Sequence, residues 1–371
     1  SRLYRSESRR PIQARALQIL INNYVKMKLL KAIYKTSLKD LRNRLRSNKA
    51  DITRAKSIIA KYLPLITEPS FNRSNNSDTD YDSLDFVDIE FFDEDLILEI
   101  NAELEKSVKN TTYRRSEMTY KERAFINGII RKTKPKNIVE IGVSAGGSSC
   151  IILNAIKDLD NSKLYSFDYS TNWYKKTTDN ITRKSGFLVD ILMPDQKEKC
   201  EIFTGGVPSK FFNSLPSDGI DLCFIDSFHW NPGEHLNILE ILPHLKNNAV
   251  VIFHDTVFHT FGKDPYATTN GVALNSLPGK RIILKSEKTA GLANIGAVII
   301  NKQNWLEHNL FTNLSLPWSH QEISKRDFDS LFHYFRQYYS KDNQRIFLFY
   351  YLFYKYNIPR KTRVFRGILY L

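Results

Sequence analysis

The chain has 371 residues, 42% of them hydrophobic and 12% aromatic, enough to bury a full core and more than one minimal domain needs. Cys150, Cys200 and Cys223 stand far apart without a C-x-x-C, which excludes a disulfide framework or zinc knuckle and suits a reducing, cytoplasmic compartment. No apolar run approaches the roughly 20 residues of a membrane span, and the basic, broken first residues do not read as a signal peptide.

The formal charge of +14 is unevenly spread. Residues 1–64 hold 17 Lys or Arg against Glu7, Asp40 and Asp51, a local +14, and residues 339–371 carry a local +6, so the middle of the chain is mildly acidic. Partner binding at the ends and chemistry in the middle is the expected division.

In chain order, residues 1–66 read as a basic helical region. Leu17, Leu20, Ile21 and Tyr24 recur at helical spacing, predicting two or three amphipathic helices whose cations form a solvated face or meet nucleic acid or an anionic membrane. Residues 67–85, rich in Ser, Asn and Asp, predict a linker, and residues 86–119 an acidic helical lead-in. "TYKERAFINGIIRKTKPKN" predicts a helix stopped near Pro135.

From residue 120 to 302, strand and helix signals alternate. Strands are expected at "NIVEIGV", "KLYSFD", "CEIFTGG", "IDLCFID" and "AVVIFHD", with helices at 147–158, around 172–185, at 208–214 and at 233–246. Such dense apolar runs imply strands buried on both faces of a parallel sheet. "RIILK" and "IGAVIIN" suit a closing antiparallel pair, which makes seven strands. Residues 303–371 predict a helical, aromatic and basic extension. Its end, "RIFLFYYLFYKYNIPRKTRVFRGILYL", suits core or subunit packing, or docking on an anionic membrane from the cytoplasmic side.

The first strand leads into "GVSAGGSSC". Gly142 and Gly146 let a backbone approach a ligand closely, and Gly147, Ser148 and Ser149 open a helix with free N–H groups. The spacing is not G-x-G-x-x-G. Asp168 ends the second strand, where a carboxylate can accept hydrogen bonds from both ribose hydroxyls or cap a helix; joined to the glycine turn, it describes a nucleoside pocket. "CFIDSFHW" and "VIFHDT" then place Asp226, His229, His254 and Asp255 at the ends of two adjacent strands, as a reaction centre or as loop caps.

"E-I-G-V-S-A-G-G-S" followed by "FD" resembles motif I and the second-strand acid of class I S-adenosylmethionine-dependent methyltransferases, over roughly residues 120–302. The resemblance implies an α/β fold with a Rossmann-like, doubly wound, mostly parallel seven-stranded sheet. It also implies that Glu140, Gly142, Ser144, Gly146, Ser148, Asp168, Thr204, Gly205 and Asp226 surround S-adenosylmethionine. "I-D-x-x-H … F-H-D-T" resembles the branch of macrolide sugar O-methyltransferases and cephalosporin-hydroxylase-like proteins. That implies Mg2+ at Asp226, His254 and Asp255, with His229 as base and Asp226 and Asp255 beside it in catalysis. The chain departs from these relatives in reading Asp226-Ser227-Phe228-His229 where many have D-G-D-H, and in carrying His254 where the macrolide enzymes have an acid. Without a metal, His229 polarised by Asp255 remains a base.

The expected function is O-methylation of a sugar, a glycosylated small molecule or a bacterial surface polysaccharide, by a protein that can form homo-oligomers. An RNA or DNA methyltransferase is the alternative that the basic helices favour. It lacks support at the fourth strand, which reads "IDSFHW" where base N-methylation shows N/D-P-P-Y, and "KDPYA" at 263–267 is a poor substitute. A non-catalytic scaffold is the other alternative. His235 and His244 are expected on a helix surface, His259 in a loop that reaches substrate, and Trp173 and Tyr174 over the cofactor, on a sugar or in the core.

Overall fold

The computed structural model describes residues 49–67, 94–107, 118–175, 177, 179–259, 267–284, 294–302, 306–318 and 323–356. The basic helices expected before residue 49, most of the linker, "KDPY" and the tail after 356 lie outside the described residues.

The chain forms two compact units, residues 1–64 with 352–371, and residues 65–351. In the first, helix α1 (Lys49–Tyr62) buries Ala55, Ile58 and Tyr62, spaced by three and four.

The second unit is built on a seven-stranded sheet of β1 (Asn137–Ile141), β2 (Lys163–Asp168), β3 (Cys200–Thr204), β4 (Ile220–Ile225), β5 (Leu245–His254), β6 (Gly279–Ile283) and β7 (Ile295–Ile300). Its order is β3-β2-β1-β4-β5-β7-β6. The first five strands run parallel, and β7 is antiparallel to both β5 and β6. All of β1 and β7 and most of β4 are buried, which is why β7 is a continuous apolar run and β1 and β4 are apolar apart from Asn137, Glu140 and Asp221. Strand order reverses between β1 and β4, opening a crevice at their carboxyl ends.

Helix α2 (Glu94–Ser107) buries Leu96, Ile100 and Leu104, four apart, in the same core as Phe125, Ile126 and Ile129 of α3 (Tyr120–Thr133). A capping box starts α3: Glu122 N–H donates to Thr119 Oγ1 at 3.3 Å and Thr119 N–H to Glu122 Oε2 at 2.6 Å. Lys134, left-handed at φ 45°, ends it before Pro135. The crossovers carry α4 (Gly147–Ile156), α5 (Phe187–Leu192), α6 (Gly233–Ile241) and α7 (Thr269–Ser276).

Three expected helices differ. The described residues of the 172–185 stretch form turns and no helix, with an Asn172–Lys184 bridge, because this polar sequence has no apolar stripe to bury; α5 begins only after left-handed Gly186. The helix expected over 233–246 stops at Ile241, since Pro243 cannot donate and converts Leu242–His244 into a 3-10 turn. Strand β5 therefore begins at Leu245. The element at Pro208–Ser214 is a 3-10 helix.

Helices α8 (Leu306–Asn313), α9 (Lys325–Tyr338) and α10 (Lys341–Lys355) form the extension. Its aromatic residues pack on one another, with ring centroids 5.2 Å apart for Phe328–Phe347, 4.8 Å for Phe335–Phe347 and 5.0 Å for Phe311–Tyr339. Burying each such ring contributes about 1.5–3 kcal/mol. Tyr334 and Tyr339 donate to the carbonyls of Glu240 and Leu239, both at 2.5 Å, and so fasten α9 to α6. No helix among the described residues is long and apolar enough to cross a membrane.

Candidate functional site

The glycine turn after β1 is held from both sides. Gly142 is left-handed at φ 99°, and a Cβ there would lie 1.8 Å from the Asp226 carbonyl oxygen, so only glycine lets the β1 and β4 ends meet. Gly146, at φ 100°, caps α4, and a Cβ there would stand a tight 3.0 Å from the Gly186 Cα. Ser144 is also left-handed, at φ 52°; its N–H and that of Val143 donate to Asp168 Oδ2 at 2.8 and 3.0 Å. Ser170 N–H donates to Asp168 Oδ1 at 2.8 Å. A carboxylate offers about four lone-pair sites. Asp168 thus spends three on the backbone and keeps one.

Glu140 lies beneath this turn. Ser148 Oγ donates to one carboxylate oxygen at 2.5 Å, while Ser149 Oγ and Ser166 Oγ donate to the other at 2.6 Å. Burial pushes its carboxyl up to about 7, although the three hydroxyls oppose that shift. Thr204, opposite Asp168 in the β2–β3 register, leads into Gly205, whose N–H donates to the Asp168 carbonyl at 3.1 Å.

At the ends of β4 and β5, the imidazole of His229 has Nε2 3.4 Å from Asp255 Oδ2 and Nδ1 4.0 Å from Asp226 Oδ1. Its backbone N–H donates to Glu234 of α6, and Asn294 donates to Asp255. The ring of Phe258 lies 4.9 Å from that of His229, centroid to centroid. His254 is buried behind this pair, with Nδ1 3.2 Å from Asp226 Oδ1 and 3.7 Å from Asp255 Oδ1, and Nε2 3.6 Å from Glu122 Oε2 of α3. Burial disfavours its cationic form, but the surrounding carboxylates win and raise its pKa well above the ordinary histidine value. Burial likewise pushes Asp226 up, yet the charge of His254 holds it below the usual aspartate range. Asp255 is raised by burial, which its histidine neighbours only partly offset, and burial raises Glu234 to about 7.

Ligand atoms of Asp226, His229 and Asp255 all lie within 4.8 Å of one another. Two carboxylates, and an imidazole whose Nδ1 has no hydrogen-bond partner, fit a divalent cation. His254, expected as a third ligand, instead stands against the same carboxylates with its far nitrogen turned to Glu122.

Four residues of the surroundings escaped the sequence reading: Glu122, Glu234, Asn294 and Asp327. The S/T-x-x-E spacing of Thr119 and Glu122 is a visible capping signal, but its link to His254 is long-range. His235 is fully buried rather than on a surface, its Nδ1 2.8 Å from Asn231 Oδ1. His244 is half-buried against Tyr334 OH at 3.0 Å, because α9 covers the face expected to be wet. His259 follows Phe258 in a helical turn. Trp173 is buried against Phe187, with ring centroids 5.2 Å apart, and Tyr174 is exposed.

The strand order, with the glycine turn at its switch point and the acid ending β2, is that of a Rossmann-like, methyltransferase-type fold. Residues 139–256, from β1 to just past β5, match a family model described as a methyltransferase domain. Among solved structures, the chain is similar to the O-methyltransferase TomG from Streptomyces achromogenes, involved in tomaymycin synthesis (15% identity over 57% of this chain and 91% of that one, TM-score 0.42). It is similar also to an O-methyltransferase from Bacillus cereus (16%, 56% and 91%, TM-score 0.40) and to the Podospora anserina methyltransferase PaMTH1 (16%, 57% and 97%, TM-score 0.37). No curated protein matches the sequence.

Proposed function

We propose that the chain transfers the methyl group of S-adenosylmethionine to a hydroxyl of a sugar or glycosylated small molecule, with His229 as the base. The observation that carries this reading is the His229–Asp255 pair at the ends of β4 and β5, beside Asp226, whose carbonyl packs on the glycine turn. The sugar acceptor rests on the resemblance of I-D-x-x-H … F-H-D-T to the sugar O-methyltransferase branch.

A hydroxyl is a poor nucleophile until its proton leaves. Neutral imidazole, with an ordinary pKa of about 6.5, can take that proton near neutral pH. Asp255, 3.4 Å away, stabilises the imidazolium that results. The oxygen–carbon bond forms as the sulfur–carbon bond breaks, sulfur keeps the electron pair, and S-adenosylhomocysteine leaves as a neutral thioether.

Asp226 and Asp255, with His229, are the residues that would hold Mg2+, the cation that would stabilise an alkoxide there. One nitrogen of His229 cannot hold a cation and take a proton at once, so the two uses of this imidazole are separable.

The test is methyl transfer from labelled S-adenosylmethionine to a panel of glycans and glycosides, read by mass spectrometry, together with calorimetry of cofactor binding. Cofactor heat plus label on a sugar hydroxyl is the expected result. Label on RNA instead, lost when residues 1–64 are removed, would overturn the acceptor.

A further inference from the structure

The S-adenosylmethionine reading leaves the second face of the nucleoside site open. Asp168 has one lone-pair site left, and the matched domain ends well before the chain does. A cleft of about 580 Å³ opens between the segment Tyr169–Tyr174, which follows Asp168 in the chain, Gly205 and Gly206 after β3, and Ser324, Arg326 and Asp327 at the start of α9. Its walls offer aromatic faces for a purine and hydroxyls for a ribose.

One residue joins these walls. Asp327 is 5% exposed and accepts from Tyr169 OH at 2.8 Å, Lys210 Nζ at 3.0 Å and Ser324 Oγ at 2.5 Å. Tyr169 is the residue after Asp168, and Lys210 follows the β3 loop. A Cβ at Gly206 would lie 2.5 Å from Lys210 Nζ, so the glycine leaves room for the lysine to reach Asp327. The ring of Tyr169 then meets that of Phe228 edge-on at 5.7 Å, and Phe228 precedes His229. A single carboxylate from α9 thereby fixes the loops after β2 and β3, and through Tyr169 and Phe228 it touches the chain leading into the reaction centre.

We propose that the start of α9 completes the cofactor's nucleoside site, and that Asp327 is the positioning residue that holds Tyr169 and Lys210 as its walls. The proposal rests on the methyltransferase reading above.

The test uses the full chain and titrates S-adenosylhomocysteine and 5′-methylthioadenosine, which lacks the amino acid, into wild type, Asp327→Asn and Tyr169→Phe. Asp327→Asn should weaken both ligands by the same factor, about tenfold, and Tyr169→Phe by a few-fold, as expected for loss of hydrogen bonds to a buried charge. With labelled S-adenosylmethionine, its KM should rise while kcat at saturation stays within about twofold. Tyr169→Phe removes only a hydroxyl and carries the test if Asp327→Asn does not fold. Binding of both ligands unchanged in the folded variants, or weakening of S-adenosylhomocysteine alone, would overturn the proposal. A wild-type chain that binds neither ligand would instead sink the methyltransferase reading itself.

Discussion

His229 and Asp255 face each other at 3.4 Å, and both hold left-handed backbone conformations, at φ 64° and 55°. For residues with a Cβ that conformation costs roughly 1–2 kcal/mol each. Fixed neighbours maintain it: Glu234 accepts the His229 N–H, and Asn294 donates to the Asp255 carboxylate. Strain kept at two facing residues at the carboxyl edge of the sheet marks a place where position matters more than stability.

His229→Ala should lower kcat by about 10²- to 10⁴-fold with cofactor affinity unchanged, the usual contribution of a general base. Asp255→Asn should lower it less. Single-turnover rates measured with labelled cofactor check both, and a loss below about threefold for His229→Ala would remove the base assignment.

Gly142→Ala should abolish cofactor binding and destabilise the fold. Its methyl would stand 1.8 Å from the Asp226 carbonyl oxygen, at φ 99°, so the turn and the β4 end must separate. Calorimetry and thermal unfolding report the two effects. A variant that binds and melts like wild type would show that the turn tolerates the separation.

Asp168→Ala deprives the Val143, Ser144 and Ser170 amides of their acceptor as well as any ribose hydroxyl. Affinity for S-adenosylhomocysteine should fall by about tenfold or more. Asp168→Asn, which keeps one acceptor oxygen, should fall between the two. Equal affinity in all three proteins would move the nucleoside elsewhere.

Turnover in EDTA measures the cation. Loss of activity, restored by magnesium, places an ion among Asp226, His229 and Asp255; full activity leaves His229 and Asp255 acting alone. Asp226→Asn should raise the magnesium concentration required in the first case.

The pH dependence of stability has a definite sign at Glu240. Burial pushes its carboxyl from 4.5 up to about 8, against the opposing Ser209 N–H at 2.9 Å and the charge of Lys210, and with help from Asp327. The unfolded chain loses this proton near pH 4.5, whereas the folded chain keeps it to about pH 8. The stabilisation is therefore complete below pH 4.5 and disappears as pH rises through 8. Glu140 and Glu234, each raised to about 7, act in the same direction. Thermal unfolding of wild type should shift down across this range, and that of Glu240→Gln should shift less.

The sheet was legible because strands buried on both faces are dense in apolar residues, and each such stretch became a strand within a few residues. The glycine turn, Asp168 and the four ionisable residues at the β4 and β5 ends were legible for a related reason: each sits where its strand stops. Residues 172–185 misled because polar, threonine-rich sequence between two strands looks like a crossover helix until its lack of an apolar stripe is weighed. His235 misled because the helices that cover it, α7, α8 and α9, come from later in the chain, although its Asn231 partner is only four residues back. The partners of His254 and Tyr169 lie 132 and 158 residues away, Glu122 before the matched domain and Asp327 after it. Only the folded sheet brings them within reach.

Glu122 spends one oxygen twice, on the amide that starts α3 and on the ring of His254. Order in an early helix and charge deep at the sheet edge are thereby tied to a single atom. A change that never approaches the nucleoside, such as Glu122→Gln, should fray that helix and unsettle the imidazole together.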